Sequence, residues 1–302
     1  MWKLDKDKKV LIVGLGLLGG SYAEALTDEG FYVGAITRSR ESIDYALEKG
    51  IIKSGTTKVE PEYVGQFDLL VFCVYPHVFL DWIEKYQGYI KPGALITDVT
   101  GVKRSVVYPI QSILREDLEF IGAHPMAGRE VYGVQNETKE MFKNANYIVT
   151  PTLKNTKDGI EACMDLGRLL GFRSVKAISP EEHDEMIGFL SQLTHCIAVS
   201  LMVCKESEHL VDYTGDSFRD LTRIAKINES MWTELFYMNK DELLLQMELF
   251  SEKFNRLKEA IKDEDTDTIH EIMRLSTKKR KLFDINKNEE HNNDNREGKK
   301  EG

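Results

Sequence analysis

The feature that most constrains this chain is a glycine-punctuated turn near its N-terminus. Val10-Leu11-Ile12-Val13 is an apolar run with three β-branched residues. It leads into Gly14, Gly16 and Gly19 at G-x-G-x-x-G spacing, and then into the helix-permissive stretch Ser21-Tyr22-Ala23-Glu24-Ala25-Leu26. That order reads as strand, tight turn, helix. Gly14 makes the turn, Gly16 lets a pyrophosphate approach the backbone, and Gly19 lets helix and strand pack closely. The helix N-terminus, with Leu17 and Leu18 in its first turn, offers free N–H groups and a positive dipole end to the phosphates. A second strand, Tyr32-Val33-Gly34-Ala35-Ile36, completes a βαβ unit, so the turn reads as a dinucleotide site and not as a glycine-rich loop alone.

The residues after that strand bear on which dinucleotide. An acidic residue there would hold a ribose 2′-hydroxyl, but the chain has Thr37-Arg38-Ser39-Arg40. A guanidinium and two hydroxyls suit a 2′-phosphate, which favours NADP over NAD; the competing reading is a solvated charged loop. Phe67 to Val74 is a continuous apolar strand, as expected of a parallel sheet covered on both faces. It closes on Val74-Tyr75-Pro76, which is placed with the nucleotide's binding loops. The next strand, Ala94 to Asp98, opens into Val99-Thr100-Gly101-Val102-Lys103, and ligands bind at such carboxyl ends. Further on, Gly122-Ala123-His124-Pro125-Met126-Ala127-Gly128-Arg129-Glu130 puts a histidine at a strand end beside the same crevice. There it can exchange a proton near neutral pH.

The expected fold class is α/β: an N-terminal Rossmann-type doubly wound parallel sheet over residues 1–178, followed by an all-α domain over 179–285. Ser179-Pro180-Glu181-Glu182 marks the change as a capping box with Pro at the first helical position. Residues 286–302, rich in charge and Asn, read as a disordered tail. With 302 residues and 42% hydrophobic content the chain can bury a substantial core in two domains. Its net charge of −10 argues against nucleic acid as a partner. The charged opening residues Met1 to Lys8 do not resemble a signal peptide, and no apolar run approaches the roughly 20 residues of a membrane span, so a soluble, cytoplasmic protein is expected. Cys73, Cys163, Cys196 and Cys204 show no C-x-x-C spacing and read as reduced thiols; no metal site is indicated.

Four stretches together resemble the prephenate dehydrogenases, including their arogenate-using relatives. They are the glycine-rich unit, Gly122 to Gly128, Ser191-Gln192-Leu193-Thr194-His195, and Ser217-Phe218-Arg219-Asp220-Leu221-Thr222-Arg223-Ile224-Ala225 with Met231-Trp232. The first is common to many families; the other three in this order are specific, and the similarity spans roughly residues 8 to 285. The resemblance implies oxidative decarboxylation of prephenate in tyrosine biosynthesis: hydride passes from the hydroxyl-bearing ring carbon to the nicotinamide and the ring carboxylate leaves as CO2. It also implies that His124 takes the hydroxyl proton and that Arg223 and His195 hold the substrate, with Gln192, Thr100, Glu130 and Trp232 around them. A homodimer through the helical half is implied as well. The stripe Leu243-Leu244-Met247-Phe250-Phe254-Leu257 independently suggests an oligomer.

Two departures from the family pattern stand out. Gly101 replaces a serine whose hydroxyl supports the histidine, with Thr100 the candidate substitute; Gln192 and Thr194 replace the His and Pro of Ser-His-Leu-Pro-His. The neutral Gln192 and Thr194 favour prephenate over arogenate, whose ammonium calls for a carboxylate. The rivals are a two-domain hydroxy-acid or imine dehydrogenase, which would place a catalytic Lys on a helix of the second domain, and a nucleotide-sensing protein without turnover.

Overall fold

The computed structural model describes residues 2–129, 131–206 and 209–283. Eight strands form one sheet: β1 (Lys9–Val13), β2 (Tyr32–Ile36), β3 (Ser54–Thr56), β4 (Leu69–Phe72), β5 (Leu95–Asp98), β6 (Glu119–Pro125), β7 (Asn146–Thr150) and β8 (Ser174–Ala177). Their order is β3-β2-β1-β4-β5-β6-β7-β8, with every neighbouring pair parallel except β6 and β7. The first six strands thus follow the doubly wound order, and the chain reverses direction across the sheet between β1 and β4, where nucleotides bind.

Burial on both faces explains why the strands are apolar throughout. Val10 and Ile12 enter one core cluster while Leu11 and Val13 enter the other, on opposite sides of the sheet. The antiparallel β7 departs from the all-parallel expectation. Among the described residues, the connection from Pro125 to Asn146 contains only the short 3-10 turns Val134–Asn136 and Lys139–Phe142. It packs over the helix Leu17–Asp28, where Thr138 N–H donates to Ser21 Oγ (3.0 Å) and Lys139 N–H to Glu24 (2.7 Å). A chain that re-enters the sheet from the end at which it left must return antiparallel.

Ser179 caps the next helix as expected: its hydroxyl accepts from Glu182 N–H at 3.1 Å, and Pro180 follows it. The helix Pro180–Ile187 continues through a π-helical turn, Gly188–Leu193, into the helix Thr194–Val203. This run of 24 residues is long and apolar enough to cross a membrane by length and composition, which corrects the expectation that the chain has no such stretch. Ser191, Gln192, Thr194 and His195 interrupt it without a formal charge, so a search for unbroken apolar stretches passes over it.

Two compact units result, one ending at Leu243 and one beginning at Leu244. The composition change at Ser179 falls inside the first unit, because Asp184 accepts hydrogen bonds from the backbone N–H groups of Lys103 and Arg104, both at 2.8 Å. In the second unit, the helix Thr266–Arg280 is capped by Asp265 and pairs Glu271 with Arg256 at 2.8 Å.

Candidate active site

The glycine turn is shaped as its sequence requires. Gly14 has φ +98°, and a Cβ there would lie 2.4 Å from Cys73 O; one on Gly19 would lie 2.0 Å from Gly14 O. Gly16, by contrast, faces open space, with nothing within 4 Å of its Cβ position. Gly16 is also the N-cap of the helix Leu17–Asp28, which no side chain caps. Its first-turn N–H groups therefore open on a cradle that no side chain fills, the arrangement a pyrophosphate needs. Of the residues after β2, Ser39 caps the helix Arg40–Glu48 by accepting from Ser42 N–H (3.1 Å), and Arg40 pairs with Asp44 at 2.8 Å. Arg38 is exposed and Thr37 half-buried beside it. Val74 packs against Gly14, Tyr75 stands exposed, and Pro76 opens the helix Pro76–Tyr86.

Across the crevice, the carboxyl ends of β5 and β6 are locked by a buried ion pair that no sequence motif announces. Lys103, fully buried, donates to both oxygens of the fully buried Asp98, at 2.9 and 2.7 Å, and to Ala123 O at 2.5 Å. Asp98 in turn accepts from Ala123 N–H at 2.9 Å. Both peptide groups of the residue before His124 are thus fixed by one pair of charges. Thr100 also belongs to this cluster: its hydroxyl donates to Asp98 and accepts from Lys103 at 3.2 Å. The hydroxyl is spent behind the strand, which removes Thr100 as a replacement for the family's serine. A Cβ at Gly101 would come no closer than 3.8 Å to the His124 ring, so the space for that serine remains open.

His124 lines a cleft of about 530 Å³ together with Gly16 to Gly19, Cys73, Gly101, His195 and Trp232. Its Nδ1 lies 2.9 Å from Nε2 of His183, and His183 Nδ1 lies 2.7 Å from Asp184 Oδ1. Burial, with help from the charges of His183 and Lys103, pushes the His124 imidazole well below its ordinary proton affinity. Burial lowers His183 too, against the opposing pull of Asp184. Neither His183 nor Asp184 is among the site residues expected from the sequence. The capping box at their neighbours Glu181 and Glu182 masks them, although an adjacent His-Asp pair at the start of an apolar helical run is the available signal.

The third wall comes from the helical run. His195 Nδ1 is 2.9 Å from Ser191 O, an acceptor, so that nitrogen carries the proton; the ring stacks on Trp232 at a centroid distance of 3.8 Å. Gln192 borders the cleft but is nearly fully buried, and both atoms of its amide are engaged. Nε2 donates to Leu235 O and Oε1 accepts from Asn239, both at 2.9 Å, while Asn239 also donates to Asp184 O at 2.9 Å. This geometry makes Gln192 a brace between helices at the edge of the cleft. Arg223 is exposed at the start of the turn Arg223–Ala225 and outside the cleft's lining, while Ile224 and Lys226 nearby line it. Glu130 lies outside the described residues.

A doubly wound sheet with an uncapped glycine turn, opposed across one cleft by a half-buried histidine of lowered proton affinity, defines a nicotinamide-nucleotide-dependent oxidoreductase. Comparison with known proteins narrows the class. Residues 22–176 match the model of the prephenate dehydrogenase nucleotide-binding domain and residues 179–275 that of the prephenate dehydrogenase dimerization domain. The chain belongs to the prephenate dehydrogenase family. It is 30% identical over 267 residues to the prephenate dehydrogenase of Bacillus subtilis, covering 86% of this chain and 72% of that one. It is 28% identical to the cyclohexadienyl dehydrogenase of Zymomonas mobilis, covering 90% and 95%. Among solved structures, prephenate dehydrogenase from A. aeolicus in complex with hydroxyphenyl propionate and NAD+ superposes with a TM-score of 0.82 at 30% identity, covering 91% of this chain and 98% of that one.

Proposed function

We propose that this chain oxidises and decarboxylates prephenate to 4-hydroxyphenylpyruvate in tyrosine biosynthesis, with His124 as the base and NADP as the preferred nucleotide. The observation that carries the reading is His124 itself: it sits on a strand end fixed by Lys103 and Asp98, faces the glycine turn across one cleft, and is held neutral by burial. A neutral imidazole can take a hydroxyl proton, and hydride departs more easily from a carbinol whose proton is leaving. The bound nucleotide supplies the hydride acceptor. Arg223 is assigned to the substrate's carboxylates, since a guanidinium binds carboxylate in a two-pronged fashion that lysine cannot match. His195, stacked on Trp232, lines the same cleft and is assigned to the substrate with Arg223. Arg38 is assigned to the 2′-phosphate because its neighbours Ser39 and Arg40 are already engaged within their own helix.

In this reading residues 1–178 bind the nucleotide, and residues 179–285 bind the substrate and pair two copies into a cytoplasmic homodimer. Support for the pairing comes from the dimerization-domain match and from the large apolar side chains exposed on the helices, Phe189, Leu190, Phe250 and Phe254 among them. A monomer mass by light scattering at micromolar concentration would remove the dimer. The deciding experiment for the activity is a steady-state assay of prephenate and arogenate, each with NAD and NADP. Prephenate with NADP should give the highest kcat/KM. Faster turnover of arogenate would move the chain to the arogenate-using branch, and nucleotide binding with no turnover of either would make it a sensor.

A further inference from the structure

The proton taken by His124 has a second place to go, and the hydrogen bonds say which. Asp184 is fully buried, and two backbone N–H groups, those of Lys103 and Arg104, already donate to its two oxygens at 2.8 Å. A carboxylate oxygen in that position can only accept, so His183 Nδ1, 2.7 Å from Asp184 Oδ1, carries a hydrogen. A neutral His183 then has a bare lone pair on Nε2. That atom is 2.9 Å from His124 Nδ1, which must supply the hydrogen between them. A neutral His124 bearing its hydrogen on Nδ1 has a bare Nε2, on the edge next to Gly101 and the cleft. Two side chains, His183 and Asp184, thus set the base into its acceptor tautomer without the serine the family places at Gly101.

We propose that His183, backed by Asp184, is the positioning residue for His124 and the second station for its proton. The inference rests on the reading of His124 as the base. As hydride leaves the carbinol carbon with its electron pair for the nicotinamide, the hydroxyl proton moves to His124 Nε2, and the hydrogen on His124 Nδ1 moves to His183 Nε2. The positive charge comes to rest beside the Asp184 carboxylate. When the ring carboxylate leaves as CO2, its bonding pair enters the ring and the oxygen becomes a phenolate, which takes the proton back along the same two bonds. One proton is stored and returned, as an overall reaction that releases none requires. The charged groups facing the pair are Asp184 and, from the neighbouring strand ends, Lys103 and Asp98, whose mutual ion pair leaves Asp184 as the uncompensated partner of a protonated His183.

The test uses the full-length protein. Imidazole 15N NMR of the nucleotide-free wild type, with His124 and His183 signals assigned through H124N and H183Q, should show both rings in the Nδ1–H form at neutral pH. An Nε2–H tautomer on His124 overturns the relay whether or not prephenate is turned over. H183Q keeps an acceptor near the position of Nε2 but cannot hold a proton. It should bind nucleotide as the wild type does, lose at least about tenfold in kcat, and shift the acid limb of kcat/KM to lower pH. The sign follows from coupling: protonating either ring disables the pair, so the pair's first apparent pKa is at least as high as that of His124 beside a neutral partner. Wild-type kcat and an unmoved limb in H183Q would reduce His183 to packing. If the wild type oxidises neither prephenate nor arogenate, the functional reading fails on its own, and the tautomers still decide the inference.

Discussion

The two sides of the cleft are built by opposite means. The glycine turn after β1 is made almost entirely of backbone: Gly14 and Gly19 allow the close approach, Gly16 leaves the space, and an uncapped helix supplies the donors. The wall after β5 and β6 consists of side chains that reach it from distant parts of the sequence: Asp98 and Lys103 fix the peptide of Ala123 beside His124, and His124, His183 and Asp184 are joined in turn by hydrogen bonds. A backbone site tolerates many sequences so long as nothing fills it. A side-chain relay fails if any one member is removed, because its neighbours are then left buried and unsatisfied.

This contrast can be broken or sharpened by mutation. The largest expected effect is at the end of the relay. H124N should lower kcat by about 10²–10⁴, the usual contribution of a positioned base, with nucleotide affinity by calorimetry unchanged; a mutant with near wild-type kcat would show that another group takes the proton. Next is the lock behind it. K103M leaves Asp98 charged in the core without its counter-ion, so urea denaturation should show a loss of about 3–5 kcal/mol; a loss under about 1 kcal/mol would mean the ion pair is incidental to the strand end. R223K keeps the charge and loses the fork, and should raise KM for prephenate roughly ten- to a hundredfold, the equivalent of about 1.5–3 kcal/mol; an unchanged KM takes Arg223 out of the site. R38A should cut the preference for NADP over NAD about tenfold, and equal losses for both would show that it does not read the phosphate. The smallest effect belongs to G101S. With the ring already oriented by His183, restoring a hydroxyl should raise kcat by no more than about threefold, under about 1 kcal/mol. A tenfold gain would show that His124 is poorly held without it, and the self-sufficiency of the relay would fall.

The same contrast separates what the amino-acid sequence makes legible from what it hides. The dinucleotide unit is legible because its demands are local: a β-branched run, glycines at fixed offsets and a helix to follow. Burial on both sheet faces is legible from the continuous apolar strands, and Ser179 and Pro180 announce their helix correctly. The lock and the relay are not legible. Lysine is almost never fully buried, so Lys103 in Val102-Lys103-Arg104 reads by default as solvated. Thr100 and Gly101 are adjacent in sequence but face different surroundings, one the ion pair and the other the cleft, and nothing in the sequence assigns which. The reversed direction of β7 depends on where a connection with little regular structure runs, which periodicity does not report.

The π-helical turn at Gly188–Leu193 has a consequence for how this wall could be remodelled. A π turn holds one residue more than regular α winding would use over the same sweep, and such insertions are frequent at functional sites. Deleting a single residue within it would therefore restore uniform winding and leave the segments on either side close to their present phase. His183 and Asp184, before the turn, would keep their partners, and His195, after it, would keep its stack on Trp232. The same deletion in the regular winding between Asp184 and Gly188 would rotate everything after it by about 100° and carry His195 off the wall. The turn is thus a reserve of slack between the residues proposed to handle the proton and those proposed to grip the substrate, a place where one codon can be lost without turning either away from the cleft.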